Sequence, residues 1–230
     1  PPRSTLFPYT TLFRSFVPGK REFFTSGYDG KVLKWSLDGE DQSLQIVYSG
    51  TDIIEVLTVS PDASWLAMGS SNASIKMVSL KGNSQGYEMT GHKGKLKSLI
   101  FSYDGKYLYS ASLDGKVLKW DLSARTSSNL TDGTLPLTSI DVSLYGKYVA
   151  GINSEGGVVV WNQENKADNF RIETVGKNIK VVRFNPDNNI LALGDVNGTV
   201  ELWDIIQRRK ISDVKAHTAQ VNDIQFNNRL

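Results

Sequence analysis

Apolar and polar residues alternate along this chain in runs of about six, and turn-forming pairs close most of the runs. Residues 96–101 (LKSLIF), 106–111 (KYLYSA) and 116–121 (KVLKWD) show the pattern, with a weaker fourth run at about 127–130. Period-two alternation predicts half-buried β-strands, and the sustained 3.6-residue apolar period of a helix is missing. Tyr103-Asp104-Gly105 separates the first two runs, and Asp114-Gly115 separates the next two. An Asp-Gly pair between alternating runs predicts a type I′ hairpin, which needs positive φ at both central residues.

This four-run unit recurs. KVLKWSL (31–37), SIKMVSL (74–80), KVLKWDL (116–122), GVVVWNQ (157–163) and TVELWDI (199–205) share one register. Their fifth positions, Trp35, Val78, Trp120, Trp161 and Trp203, are 43, 42, 41 and 42 residues apart. The hairpin slot holds Asp29-Gly30, Asn72-Ala73, Asp114-Gly115, Glu155-Gly156 and Asn197-Gly198. The earlier turn recurs as Ser60-Pro61-Asp62, Ser102 to Gly105, Ser143 to Gly146 and Asn185 to Asn188. A period in the forties means repeated supersecondary units that must stack to bury their faces, here the blades of a propeller. The units fall at about 16–50, 53–90, 96–130, 137–174 and 179–214, with a partial unit at 220–230. Four are complete. Propellers have about four to eight blades, and seven of this period need ~294 residues, so the expectation is an open arc from a seven-bladed parent. A compact five-bladed closure is the alternative, in which 220–226 (QVNDIQF) supplies the inner strand missing from the first unit.

Residues 5–15 (TLFPYTTLFRS) resemble the conceptual translation of a sequencing-library adapter, so 1–15 are expected to be a leader without biological content. Charge then loses its meaning as a guide to partners. The formal net charge is +2 from 26 basic and 24 acidic residues, and two of the basic ones are Arg3 and Arg14. A near-balanced chain has no general pull toward nucleic acid or membrane. No apolar run approaches the ~18 residues of a membrane helix. The absence of cysteine removes disulfides, thiolate metal sites and Cys nucleophiles.

The stretch GHKGKLKSLIFSYDGKYLYSASLDGKVLKWDL (91–122) resembles a WD repeat in its Gly-His opening, Asp-Gly turn and closing Trp-Asp. The resemblance covers about residues 20–226 and implies an all-β WD40-type propeller. It also implies a structural tetrad of His92, Ser112, Asp114 and Trp120, a hydrogen-bond chain from indole through hydroxyl and imidazole to carboxylate. Other units depart from the pattern: Asn72 and Val78 in the second, Asn153 and Glu155 in the fourth, Asp195 and Asn197 in the fifth. These must depend more on apolar packing, the Val78 unit most of all.

His92, Ser112 and Asp114 could also be read as a catalytic triad, but no oxyanion-hole loop accompanies them and the tetrad outweighs that reading. His92 and His217 lie three periods apart in one slot, hence on different blades, which argues against a shared metal. There is no GxxxxGK[ST] phosphate loop. The resemblance implies partner binding on the central face, by residues flanking the bulge of each first strand and by the residue before each turn. These are Ile53 and Glu55, Lys95 and Lys97, Pro136 and Thr138, Asn178 and Lys180, Gln220 and Asn222, with Tyr28, Ser71, Leu113, Ser154 and Val196. Lys95, Lys97 and Lys180 make one sector basic. The expectation is a noncatalytic scaffold in the cytoplasm that holds a protein or peptide with acidic residues, without cofactor, metal, nucleic acid, membrane or small-molecule substrate. The alternative is a C-terminal sensor propeller of a larger signalling NTPase, kinase or protease.

Overall fold

The computed structural model describes residues 11–38, 44–82, 85–131, 133, 135–174, 178–185 and 189–226. Their alternating runs form five four-stranded antiparallel sheets, each a meander in chain order. The first contains β1 (Thr11–Phe16), β2 (Glu22–Gly27), β3 (Lys31–Ser36) and β4 (Leu44–Ser49). The second contains β5 (Ile54–Val59), β6 (Trp65–Ser70), β7 (Ile75–Ser79) and β8 (Tyr87–Met89). The third contains β9 (Leu96–Phe101), β10 (Tyr107–Ser112), β11 (Val117–Asp121) and β12 (Thr126–Asn129). The fourth contains β13 (Leu137–Val142), β14 (Tyr148–Asn153), β15 (Val158–Asn162) and β16 (Phe170–Ile172). The fifth contains β17 (Ile179–Phe184), β18 (Ile190–Asp195), β19 (Thr199–Asp204) and β20 (Arg209–Lys215). Among the described residues the only helical element is a 3-10 turn at Lys166–Asp168.

No sheet has a core of its own. One apolar cluster joins Phe24 and Val32 of the first sheet to Ile54, Leu66 and Met68 of the second. A second sets Ile75, Met77 and Met89 against Leu96, Leu108 and Trp120. A third joins Tyr109 and Val117 to Ile140, Val149 and Trp161, and a fourth joins Ile152 and Val160 to Val182 and Leu191. Fully burying each such side chain stabilises the stack by roughly 1.5–3 kcal/mol, and only a neighbouring sheet provides that burial.

The first strands β1, β5, β9, β13 and β17 lie side by side in chain order. The ring is not closed. The first sheet takes all four strands from residues 11–49, so 220–226 do not complete it and the five-bladed closure is not formed. The first unit therefore begins at Thr11, not at Phe16, and β1 takes up residues expected in the leader. An extended run whose backbone can satisfy the free inner edge of β2 pairs there, from Phe16 opposite Phe23 to Thr11 opposite Gly27. Pro1 to Thr10 lie outside the described residues.

Residues 220–226 form no ladder, yet they dock where a next first strand belongs. Val221 packs on Gly194 of the fifth sheet as Leu96 packs on Gly69 of the second. The Val221 N–H donates to the Asp195 carbonyl at 3.0 Å, and Asp223 lies 3.3 Å from Arg183.

The hairpin turns correct one expectation. Gly115 has φ +82°, but Asp114 is not among the residues with positive φ. The Gly115 N–H donates to the Ser112 carbonyl and the Ser112 N–H to the Lys116 carbonyl. This is a three-residue loop, Leu113 to Gly115, with one left-handed residue at its end, rather than a two-residue type I′ turn. The longer loop leaves the Asp114 carboxylate free to cap N–H groups above the sheet.

Candidate functional site

Trp120 stands opposite Leu108 in the β10–β11 ladder. Side chains two residues apart along a strand share a face, so Leu108, Ser110 and Ser112 line up beneath the indole. A diagonal partner two positions away is within reach of a long side chain. Trp120 Nε1 accordingly donates to Ser110 Oγ at 2.8 Å, not to Ser112. Ser110 Oγ lies 2.7 Å from His92 Nε2, and His92 Nδ1 lies 3.0 Å from Asp114 Oδ2. The tetrad is His92, Ser110, Asp114 and Trp120. The expected Ser112 is one step nearer the turn, past a bulge between Ala111 and Ser112. There its hydroxyl donates to the Gly94 carbonyl at 2.8 Å and accepts the Asp114 N–H at 3.1 Å.

Burial pushes the His92 imidazole below its usual range, with the Asp114 carboxylate opposing that shift. A neutral ring with its proton on Nδ1 donates to Asp114 and accepts from Ser110 at Nε2, which satisfies every member of the chain. Burial raises Asp114, but the N–H groups of Lys93 and Lys116 and the His92 ring together hold it below the ordinary carboxylate value. Serine, imidazole and carboxylate are thus consumed in tying the loop before β9 to the turn after β10.

The other sheets solve the same position differently. Trp35 Nε1 donates to Thr25 Oγ1 at 2.9 Å, with the ten-residue offset of Trp120 and Ser110. Thr25→Val should lower stability by about 1 kcal/mol, a single neutral hydrogen bond, read from the urea midpoint. Trp203 Nε1 donates to the buried Glu201 in its own strand at 3.0 Å. In the second sheet the slot is apolar: Met68 and Leu66 are fully buried, with Val78 packed against their cluster. Asn72 there binds Asp52 through its side-chain amide at 2.7 Å. His217 is exposed, and its backbone N–H donates to the Gly198 carbonyl at 3.0 Å.

The central face is organised by a repeated backbone bond. Ser71, Leu113, Ser154 and Val196 donate their N–H groups to the carbonyls of Ile53, Lys95, Pro136 and Asn178. Each first strand then bulges. Register shifts fall between Ile54 and Val56, Leu96 and Ser98, Leu137 and Ser139, and Ile179 and Val181. The residues set outside the ladder are therefore Glu55, Lys97, Thr138 and Lys180, which sit in the bulges rather than beside them. Tyr28 and Leu113 are 61% and 40% exposed, large apolar groups at the turn tips. Thr138, Lys180 and Asn222 are exposed and Val196 is half-buried.

The basic sector is weaker than the sequence suggests. Lys95 and Lys97 both reach Glu55 of the neighbouring sheet, at 3.6 Å and 3.2 Å. Two lysines share one carboxylate, so that cluster carries one net positive charge, with Lys180 further round the arc.

At the opposite ends of the first strands lies a cleft of about 410 Å³, lined by Phe101, Tyr103, Asp141, Arg183, Phe184 and Phe226 among others. Asp141 accepts the Phe184 N–H at 2.6 Å and sits 3.9 Å from Arg183. Burial raises its carboxyl to about 6, against the pull of Arg183 and of two backbone N–H groups. Sequence reasoning passed over Asp141, because one carboxylate in an alternating strand carries no signal of its burial.

Among the described residues no group of three or more His, Cys, Asp or Glu could hold a metal ion. No described helix is long and apolar enough to cross a membrane.

Residues 83–121 and 172–204 match the family described as WD domain, G-beta repeat. Over 156 residues the chain is 31% identical to the human U3 small nucleolar RNA-associated protein 18 homolog, covering 61% of this chain and 27% of that protein. It is 24% identical over 191 residues to the target of rapamycin complex subunit wat1 of Schizosaccharomyces pombe, covering 82% of this chain and 60% of that one. With the Dictyostelium discoideum protein LST8 homolog it shares 26% identity over 229 residues, 78% of this chain and 75% of the other. The chain thus spans less than two thirds of the first two of these relatives. Two matched WD40 repeats, one indole-centred tetrad and five sheets in a common register thus give the chain a WD40-type propeller-blade architecture.

Proposed function

We propose that this chain is a noncatalytic scaffold that holds a protein segment carrying acidic residues on its central face. The observation that carries the reading is the repeated turn-to-strand bond, which holds Leu113, Val196 and their equivalents beside the bulge residues in four successive sheets. Rigid placement of one exposed apolar anchor, Leu113, next to charged groups suits a peptide better than a flat surface would. The printed names of two relatives, a subunit of the target of rapamycin complex and a U3 small nucleolar RNA-associated protein, place those proteins in assemblies. The Ser-His-Asp set is engaged in the tetrad, which supports a binding role over a catalytic one.

Glu55 changes how the lysines act. Reversing Lys95 or Lys97 would set a new carboxylate against Glu55, while Lys180 makes no ion pair with a described residue. The informative variant is therefore Lys180→Glu with Leu113→Ser. Quantitative affinity capture from cell extract should lose acidic-segment partners about tenfold relative to the native chain, as removal of one apolar anchor and one charge implies. Tyr145→Ser, at an exposed turn between β13 and β14, should leave capture unchanged. Equal capture by both variants overturns the central-face reading.

A further inference from the structure

The fourth sheet keeps its indole but has lost what the indole bonded. Trp161 stands opposite Val149 as Trp120 stands opposite Leu108. The positions that hold His92 and Ser110 in the third sheet hold Gly133 and Gly151 here. An imidazole and a hydroxymethyl group are therefore missing from one slot. The indole has settled onto the vacated serine position: a Cβ at Gly151 would stand 2.7 Å from Trp161 Cζ3.

Among the described residues nothing refills the imidazole space. Two adjoining clefts of about 200 Å³ and 300 Å³ share Gly133, Val159, Trp161 and Arg171 in their walls. Leu137 closes the apolar side of the smaller one. None of the central-face residues named above lines either cleft. Arg171 pairs with Val159 across the β15–β16 ladder, beside the indole, and is exposed. No described residue forms an ion pair with its guanidinium. β16 is the outermost strand of its sheet, and among the described residues no strand pairs with its outer edge.

We propose that this slot binds an aromatic side chain flanked by carboxylates, presented by an extended peptide of a protein partner. The smaller cleft is large enough for a phenyl ring, and the indole edge and Val159 give it apolar contact on two sides. Arg171 supplies the charge that selects an acidic neighbour and can also lie over the ring face. The free edge of β16 offers backbone donors and acceptors to an extended chain, a common mode of peptide capture. The third sheet lacks this site because His92 and Ser110 fill it.

The test is a titration followed by the indole N–H signals in a proton–nitrogen correlation spectrum, with the Trp161 signal assigned through Trp161→Phe. The probes are acetyl-Glu-Phe-Glu-amide, acetyl-Lys-Phe-Lys-amide, acetyl-Glu-Ala-Glu-amide and phenylacetate. The acidic phenylalanine peptide should shift the Trp161 signal saturably, and each other probe should bind at least about tenfold more weakly. Arg171→Glu, an exposed change, should weaken the first probe by about tenfold or more while the other indole signals stay in place. Gly133→His should refill the slot and abolish the shift. Equal response to the acidic and basic peptides, or no Trp161 shift at millimolar peptide, overturns the proposal. Phenylacetate binding as tightly as the peptide overturns it in favour of a small-acid site. Because the readout is local to Trp161, its failure leaves the central-face reading standing, and failure of that reading leaves this one.

Discussion

Ser110→Ala should lower the stability of the chain by about 2–4 kcal/mol, whereas Ser112→Ala should cost about 1 kcal/mol. Ser110 is fully buried and serves two partners, the Trp120 indole and the His92 ring. Deleting its hydroxyl leaves a buried N–H and a buried ring nitrogen without partners, and each orphaned group costs about 1–3 kcal/mol. The Ser112 hydroxyl bonds only backbone, and the turn it supports is also held by the Gly115 and Leu113 N–H groups. Urea unfolding of both variants checks the order. A thermodynamic cycle with Trp120→Phe adds a second check, because the double variant should cost less than the two singles together if they share one bond. A larger loss at Ser112 would mean that the hydrogen-bond chain runs through the other serine.

Asp141→Asn should stabilise the chain by about 3 kcal/mol at pH 7.5 and by only about 1 kcal/mol at pH 4.5. The Asp141 carboxyl is raised to about 6 from an ordinary 3.8, first by burial. Between those values the folded state holds a proton that the unfolded state has released. Stability from this group is therefore complete below pH ~4 and falls as pH rises through 6, by roughly 1.4 kcal/mol per pH unit. Asparagine keeps an oxygen that can accept the Phe184 N–H but has no charge to bury. The difference between native and variant urea midpoints across pH 4–8 isolates the effect, since every other carboxylate is common to both. A difference that does not vary with pH would show that Asp141 stays ionised beside Arg183.

Much was legible in the chain itself. The period and the strand-turn alternation follow from repetition, because copies of one unit bury their faces in one manner and so repeat one pattern. Aligning the five units grouped Glu55, Lys97, Thr138 and Lys180 near the bulges, and the ladder register then put them in the bulges themselves. The identity of the tetrad serine was not legible. Ser110 and Ser112 lie on the same face of β10, and only the ladder register puts the indole diagonal to the first of them. Turn length was also hidden, since an Asp-Gly pair suits both a two-residue and a three-residue loop.

Sequence alone thus determined the repeated four-stranded unit, its all-β character and the family resemblance, all local or periodic properties of the chain. Tertiary structure decided everything that depends on a neighbouring sheet. Glu55 neutralises part of the basic sector because 42 residues separate it from Lys97, one full repeat, and stacking brings the two together. Asp141 is buried because the adjacent strand β17 turns the Phe184 N–H toward it. Residues 11–16 become a strand because β2 presents an unsatisfied edge, a demand that no reading of their own composition could reveal.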